Sequence, residues 1–86
     1  MHEEKIFGKI LQDERIAKKI SQVKLAKITG LDRTFISLVE NGKRSPSFSS
    51  ILKICKGLDI DPSELFAIYE KKDPEYHVKG GDHARK

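Results

Sequence analysis

Two helix-start signals stand on either side of a single glycine in residues 20–42, and this pattern restricts the fold more than any other feature of the chain. Ser21 can cap a helix that runs to about Thr29, because a serine side chain accepts a hydrogen bond from the first helical turn. Gly30 then supplies the left-handed residue that commonly ends a helix. Asp32 can cap a second helix that ends at the Asn-Gly pair closing the segment. The pattern predicts two short helices joined by about three residues, which is a helix-turn-helix motif.

Helix signals continue on both sides of this motif. Apolar residues at helical spacing predict a first helix over residues 3–18. Ser47 and Asp61 each precede an apolar helical stretch and can cap a fourth and a fifth helix. Periodicity ends after the fifth helix, so we expect one domain at 1–71 and a charged, flexible C-terminal tail at 72–86. The predicted fold is all-α, with five short helices.

The length and cysteine content exclude several classes of protein. A chain of 86 residues can build one hydrophobic core, and no stretch approaches the roughly 18 apolar residues of a membrane span. Cys55 is the only cysteine, which excludes an internal disulfide and fits a reducing compartment. The acidic, mixed N-terminus does not resemble a signal peptide. We therefore expect a cytoplasmic protein without a membrane-spanning segment.

Positive charge is concentrated in the middle of the chain. Residues 15–56 contain ten lysines and arginines against two acids, whereas residues 1–14 and 57–86 each carry two more acids than bases. This segregation is typical of a protein that binds a polyanion, most often nucleic acid. A solvated, lysine-rich surface is the alternative interpretation of the charge alone.

The second helix of the motif has one apolar and one polar face. Ile36 and Val39 fall on the inner side of a helical wheel, with Phe35 at the edge. The outer side carries Arg33, Thr34, Ser37, Leu38 and Asn41. Arginine can bind the two acceptors of guanine, and threonine or leucine can contact a thymine methyl group, so this face suits the DNA major groove. We expect Arg33, Thr34 and Phe35 at the end that enters the groove, although a surface helix of any small bundle could carry such residues by chance.

Residues on either side of this helix can hold the DNA backbone. Gln22 and Lys24 lie at the start of the preceding helix, where free backbone N–H groups favour phosphate. Lys43 and Arg44 follow the helix in a basic loop, and Ser47 caps the next helix. We expect these residues to clamp the backbone on the two sides of the groove.

Several short groups of residues form a pattern that goes beyond periodicity. They are Ser21-Gln22, Leu25-Ala26, Gly30, Ile36-Ser37, Glu40-Asn41-Gly42, Pro46 and Leu65-Phe66. With these groups the chain resembles the Cro/C1-type helix-turn-helix family, also called the XRE family, to which phage lambda-type repressors belong. The resemblance implies a five-helix, lambda-repressor-like domain that binds double-stranded DNA. Within the family, the stretch LDRTFIS is similar to that of the controller proteins of restriction-modification systems.

The resemblance also implies roles for individual residues. The family's positions of base, groove and backbone contacts match Gln22, Arg33, Thr34, Ser37, Leu38, Lys43 and Arg44. Arg15 and Glu40 match an arginine and a glutamate that pair between the first and third helices, which is a structural role. Gly57 stands where the family commonly has alanine, so we expect it to weaken the fourth helix by up to ~1 kcal/mol.

These features together predict a sequence-specific transcriptional regulator. One recognition helix reads few base pairs, whereas a twofold dimer reads two half-sites about 34 Å apart. We therefore expect a homodimer on a palindromic operator, acting as a repressor because occupation of a promoter is sufficient for repression. The expected self-association surface is the fifth helix, with the residues Ile60, Leu65, Phe66 and Tyr69.

Three alternatives to a DNA-binding regulator are catalysis, metal binding and a partner-binding module. The spacings Ser21-x-x-Lys24 and Ser50-x-x-Lys53 match those of some hydrolases, but each serine also suits a helix start, and we expect no enzyme. The three histidines and the cysteine form no ligand cluster, so we expect no metal and no cofactor. The remaining alternative is an antitoxin or adaptor module that mainly holds a partner protein.

Overall fold

A computed structural model of the chain describes residues 2–76, and all its regular elements in that range are helices. In chain order they are α1 (His2–Ala17), α2 (Gln22–Thr29), α3 (Arg33–Glu40), α4 (Phe48–Leu58) and α5 (Pro62–Lys72). The predicted all-α fold of five helices is confirmed, and α2 and α3 form the helix-turn-helix. None of these helices is both long enough and apolar enough to cross a bilayer.

Side chains cap three of the helices at the predicted positions. Ser21, Asp32 and Ser47 each accept a hydrogen bond from a backbone N–H of the following turn, at 3.0 to 3.1 Å. Gly30 has φ 75°, and its N–H donates to the carbonyl oxygen of Ala26 at 2.9 Å. Because glycine adopts this left-handed conformation without steric cost, the chain turns from α2 to α3 within residues 30–32.

The start of α5 differs from the starts of α2, α3 and α4. Asp61 occupies the expected N-cap position, but its side chain makes no capping hydrogen bond. Pro62 follows it, and the fixed φ of proline suits the first helical position. The backbone preference of proline therefore starts α5 without the predicted cap.

One hydrophobic core joins all five helices. Its buried members are Phe7, Ile10, Leu11, Leu25, Ile36, Val39, Ile54, Cys55, Leu58, Ile60 and Leu65. α1 packs on α3 and α5, while α2 packs on α3 and α4. α3 is thus held from two sides, and its remaining face is left to the solvent.

The C-terminal end of α3 lies so close to α1 that Gly8 has no room for a side chain. A Cβ atom there would lie 2.7 Å from the carbonyl oxygen of Glu40 and would also overlap that of Val39. In the turn after α3, Gly42 has φ 75°, and a Cβ atom on it would lie 2.8 Å from Cγ of Lys5. These two close approaches hold the C-terminal end of α3 and the turn after it against α1.

Gly57 has a packing role that the sequence-based expectation did not include. A Cβ atom at this position would lie 2.8 Å from Cγ2 of Thr29 and 3.1 Å from Cδ1 of Leu25. Thr29 cannot rotate away freely, because its hydroxyl donates a hydrogen bond to the carbonyl of Leu25 at 2.7 Å. Glycine here allows α4 to approach α2, which opposes the gain in helix propensity that alanine would bring.

The folded part of the chain extends past the expected start of the C-terminal tail. α5 includes Lys72, and Asp73 after it is buried, with 5% of its surface exposed. The ring of Tyr76 lies edge-on to that of Tyr69 on α5, with ring centroids 6.2 Å apart. Residues 77–86 of the predicted tail lie outside the described residues.

Asp73 connects the end of α5 to the start of α1. Its carboxylate accepts hydrogen bonds from the hydroxyl of Tyr69 at 2.6 Å and from the N–H of Glu75 at 3.0 Å, and it lies 3.3 Å from Nε2 of His2. The bond from Tyr69 is the main reason that the pKa of Asp73 lies below its ordinary value, against the opposing effect of burial. The same bond raises the pKa of Tyr69 to about 12.

We predict that Gly8→Ala destabilises the protein by about 1–3 kcal/mol, because the added methyl group overpacks the contact between α1 and α3. We expect overpacking to outweigh the gain of about 1 kcal/mol that alanine brings to a helix, because the methyl group would meet backbone atoms that cannot rotate away. Urea unfolding followed by circular dichroism measures the difference.

A matched control is Gly30→Ala, where a Cβ atom would meet nothing within 4 Å. Its cost is the left-handed conformation alone, about 1–2 kcal/mol. A Gly8→Ala variant as stable as the parent protein would contradict the close approach of α1 to α3.

We predict that Tyr69→Phe lowers the free energy of unfolding at pH 7. A carboxyl whose folded pKa is depressed adds stability above its unfolded pKa of about 3.9, and this stability is lost as the pH falls through the folded value. The difference between Tyr69→Phe and the parent protein should therefore be full at neutral pH and shrink below about pH 4. Unfolding curves across this range test the prediction, with Tyr76→Phe as the control that removes the same atom from an exposed ring. Equal pH profiles for the two variants would contradict it.

Candidate nucleic-acid interface

The outward face of α3 carries the predicted reading residues in one solvent-facing strip. Arg33 and Thr34 are exposed in its first turn, and Asn41 is exposed just after its end. Ser37 and Leu38 lie between them and are half-buried. The strip therefore presents a guanidinium group at one end and an amide at the other, which are the groups that bind guanine and adenine edges.

Phe35 has a different position from these residues. Its ring is half-buried and packs against the core, while the guanidinium of Arg44 lies over the ring, 5.4 Å from its centroid. An arginine above an aromatic face is attracted by the ring quadrupole. Phe35 thus orients the charge of Arg44 beside the strip, a link that helical periodicity could not indicate because the two residues belong to different elements.

Glu40 connects the interface to the rest of the fold. Its carboxylate accepts two hydrogen bonds from Arg15 of α1, at 2.7 Å from Nε and 3.0 Å from Nη2. It accepts a third from Nε2 of Gln22, the first residue of α2, at 3.0 Å. Arg15 also donates to the carbonyl of Ile20 at 2.9 Å, and the bond to Glu40 is the main cause of the raised pKa of Arg15. This buried pair holds α1, the start of α2 and the end of α3 in one arrangement.

Gln22 consequently has one amide N–H engaged within the protein. Its side chain is half-buried at the N-terminus of α2, while Lys24 nearby is exposed. The bond to Glu40 restrains the side-chain amide of Gln22 at the N-terminus of α2. Pre-orientation of this kind lowers the entropy cost of a polar contact on binding.

The basic loop after α3 is tied to the end of that helix. The N–H of Lys43 donates to the carbonyl of Leu38 at 2.8 Å, while the side chains of Lys43 and Arg44 are exposed. Ser47, at the end of the loop, uses its hydroxyl to cap α4 and to bond the hydroxyl of Ser50 at 3.0 Å. The loop therefore places two positively charged side chains directly after the end of α3.

The electrostatics of this surface favour an anion. Between Arg15 and Lys56 the acids are Asp32 and Glu40. Asp32 caps α3 with its carboxylate, and the side chain of Glu40 is 2% exposed and faces Arg15. Of these two acids, Glu40 is thus withdrawn from the outward face of α3, and Asp32 is engaged in capping the start of that helix.

The predicted self-association residues differ in their exposure to solvent. Ile60 is 7% exposed and Leu65 is completely buried, so both belong to the core and offer no surface to a second copy. Phe66 is 44% exposed and stacks on Phe7, with ring centroids 6.3 Å apart. Tyr69 is half-buried and bonded to Asp73 as described above.

A second apolar surface, which the sequence analysis did not identify, lies on α4. Phe48 is 72% exposed and Leu52, one turn later, is 41% exposed. Next to Leu52 is a cavity of about 270 Å³ whose lining includes Ile60 and Pro62. The sequence signal was present, because α4 carries more apolar residues than one core-facing stripe requires.

Comparison with known proteins agrees with this geometry. Residues 11–65 match a helix-turn-helix family. The control protein C.MunI of Mycoplasma sp is 45% identical over 67 residues, which cover 77% of this chain and 90% of that protein. The control protein C.BamHI of Bacillus amyloliquefaciens is 41% identical over 61 residues, with 70% of this chain and 75% of that protein covered.

Solved structures of related proteins have the same fold. The restriction-modification controller protein C.AhdI from Aeromonas hydrophila superposes with a TM-score of 0.74 at 44% identity, covering 77% of this chain and all of that one. The controller protein C.Esp1396I, solved as a tetramer on its natural 35 base-pair operator, superposes with a TM-score of 0.79 at 28% identity, covering 84% and 95% of the two chains. The resemblance found in the sequence is confirmed: the chain belongs to the Cro/C1-type helix-turn-helix, or XRE, family of DNA-binding regulators.

Proposed function

We propose that this protein is a sequence-specific transcriptional regulator that binds a palindromic operator as a homodimer and represses transcription in the cytoplasm by occupying a promoter. The observation that carries the proposal is the outward strip of α3, with Arg33 and Thr34 exposed at one end and Asn41 at the other. An α-helix fits the major groove, and these side chains match the hydrogen-bonding edges of bases there. The buried Arg15–Glu40 pair supports the proposal because it holds the strip rigid.

A different set of residues would contact the DNA backbone. Lys43 and Arg44 lie beside the strip, and Gln22 and Lys24 lie at the N-terminus of α2. Phosphate contacts of this kind set the position of a protein on DNA, whereas base contacts set its sequence preference. We assign positioning to these four residues and readout to the strip.

The apolar surface on α4 supports a twofold dimer. In a twofold interface each copy presents the same patch, so a projecting group away from the axis can pack into a recess on the same face of the partner copy. Phe48 projects from this face, and the cavity beside Leu52 and Pro62 is the recess. We therefore place the dimer interface on α4 and the turn before α5, instead of on Phe66 and Tyr69.

The relatives support a regulator of the controller type. C.MunI, C.BamHI and C.AhdI are control or controller proteins, and C.Esp1396I was solved bound to its operator. The matches to these proteins cover 70% to 84% of this chain, and the helix-turn-helix family match over residues 11–65 includes the strip on α3. We propose that the operator of this protein controls a restriction-modification system.

We predict that Arg33→Ala and Arg44→Ala weaken DNA binding in different ways. Selection of bound sequences from a random DNA pool at constant salt should give an inverted repeat for the parent protein. Arg33→Ala should cost about 1–3 kcal/mol per half-site and blur the preference at one base pair, because a base contact is lost. Arg44→Ala should weaken all sequences alike and flatten the salt dependence, because a phosphate contact is lost.

The two variants control for each other, since each removes one exposed arginine. An unchanged sequence preference in Arg33→Ala would contradict its role in base readout. A pool without any enriched sequence would contradict the proposed function itself and would favour the alternative of a partner-binding module.

We predict that Phe48→Glu separates the subunits while the monomer stays folded. The side chain contributes little to the core because it is 72% exposed, and a charge placed in an apolar contact should weaken dimerisation at least about tenfold. Sedimentation velocity over a range of concentrations measures the association. Ile16→Glu is the matched control, because Ile16 is also a largely exposed apolar residue, at 58%, but belongs to α1. A dimer that persists in Phe48→Glu but is lost in Phe66→Glu would show that the interface lies on α5, as the sequence analysis predicts.

A further inference from the structure

The contact between Phe35 and Arg44 joins two parts of the DNA-binding surface that have different roles. Phe35 lies in the first turn of α3, where its ring is half-buried and packs on the core. Arg44 lies in the loop after α3 and is exposed, with its guanidinium carbon 5.4 Å from the centroid of the Phe35 ring. A ring that the core holds in place therefore gives the end of a long, exposed side chain a defined position.

The guanidinium of Arg44 is held in a different way from that of Arg15. Arg15 donates two hydrogen bonds to the carboxylate of Glu40, so these donors are occupied within the protein. Within residues 2–76, Arg44 has no carboxylate partner, and its guanidinium lies over a ring face instead. The ring attracts the positive charge through its quadrupole and does not require the N–H donors. Arg44 is thus placed before DNA binds, with donors that can still bind a phosphate group.

The backbone before Arg44 is tied to α3 independently of the ring. The N–H of Gly42 donates to the carbonyl of Val39 at 3.0 Å, and the N–H of Lys43 donates to the carbonyl of Leu38 at 2.8 Å. These bonds determine where the loop leaves the helix, but they do not determine the direction of an arginine side chain, which has many rotamers. Ordering such a side chain on binding costs conformational entropy. The contact with the ring reduces this cost in the free protein.

We propose that Phe35 is a positioning residue that acts through Arg44: its ring orients the guanidinium for a phosphate contact, and the ring itself reads no base. This inference rests on the proposed function, because it uses the phosphate contact assigned above to Arg44. It gives Phe35 a role in affinity, whereas its position in the sequence suggested a place among the residues that enter the groove. Phosphate contacts position a protein on DNA and carry no sequence information directly, so loss of the ring should weaken binding to all sequences alike.

The contact between the ring and the guanidinium can be tested without DNA. In NMR spectra of the parent protein, side-chain protons of Arg44 should show upfield ring-current shifts, because the guanidinium lies over the ring. Phe35→Leu should remove these shifts, and Phe35→Tyr should keep them because the ring remains. Identical Arg44 shifts in the parent protein and in Phe35→Leu would overturn the proposal.

A double-mutant cycle measures whether the contact contributes to DNA binding. Fluorescence anisotropy at constant salt gives the affinity for the selected inverted repeat and for a random duplex of equal length. The proteins compared are the parent, Phe35→Leu, Arg44→Ala and the double variant. Phe35→Leu should weaken binding to both duplexes by about two- to fivefold per half-site, the effect expected for an exposed cation–π contact. In the Arg44→Ala background the same substitution should have almost no effect, because the guanidinium that the ring orients is absent.

Further variants separate this role from a general effect on packing. Phe35→Tyr keeps the ring and should bind both duplexes like the parent protein. Tyr76→Leu is the matched control, because it removes an exposed ring that contacts Tyr69 instead of a cation, and it should leave DNA binding unchanged. Urea unfolding verifies that each variant is folded, and Phe35→Met, which fills a similar volume without a ring, replaces Phe35→Leu if that variant unfolds.

The outcomes distinguish the positioning role from the proposed function. Additive losses of affinity for Phe35→Leu and Arg44→Ala would show that the ring acts independently of Arg44. A changed base preference in Phe35→Leu would make Phe35 a base-reading residue. A parent protein that binds neither duplex would refute the proposed function together with the phosphate contact, whereas normal binding by the parent with an additive cycle would refute the positioning role alone.

Discussion

The hydrogen-bonded ion pair between Arg15 and Glu40 is the interaction on which the rest of this structure depends. The carboxylate of Glu40 is almost fully buried at the end of α3 and accepts hydrogen bonds from Arg15 on α1 and from Gln22 at the start of α2. A buried ion pair adds little net stability compared with apolar packing, but removal of one partner leaves a buried charge without compensation. The pair therefore acts mainly on geometry, since its hydrogen bonds link α1, the start of α2 and the end of α3.

Close backbone packing complements this polar contact. Gly8 lets α1 touch the last carbonyl groups of α3, and Gly57 lets α4 approach the side chains of Leu25 and Thr29 on α2, so each helix of the helix-turn-helix has a close contact with a neighbouring helix. A helix held in this way can present its outward residues at constant positions, which reduces the entropy cost of docking into DNA.

Much of the fold could be predicted because its signals are local. Ser21, Asp32 and Ser47 cap helices within one turn of their own positions, and Gly30 ends α2 through its own backbone conformation. The outward strip of α3 followed from helical spacing alone. The role of Phe35 could not be predicted in this way, because its ring meets Arg44 from a different element.

The sequence by itself determined the number of helices, their starts, the tight turn and the concentration of positive charge around α3. Each of these depends on residues within a few positions of one another. Only the tertiary structure decided which apolar side chains remain on the surface: Leu65 is fully buried, whereas Phe48 on α4 stays exposed. The tertiary structure also decided that Asp73 belongs to the folded domain, through contacts with Tyr69 and with His2 at the other end of the chain. Burial and long-range pairing depend on how whole helices pack, and helical periodicity contains no information about that packing.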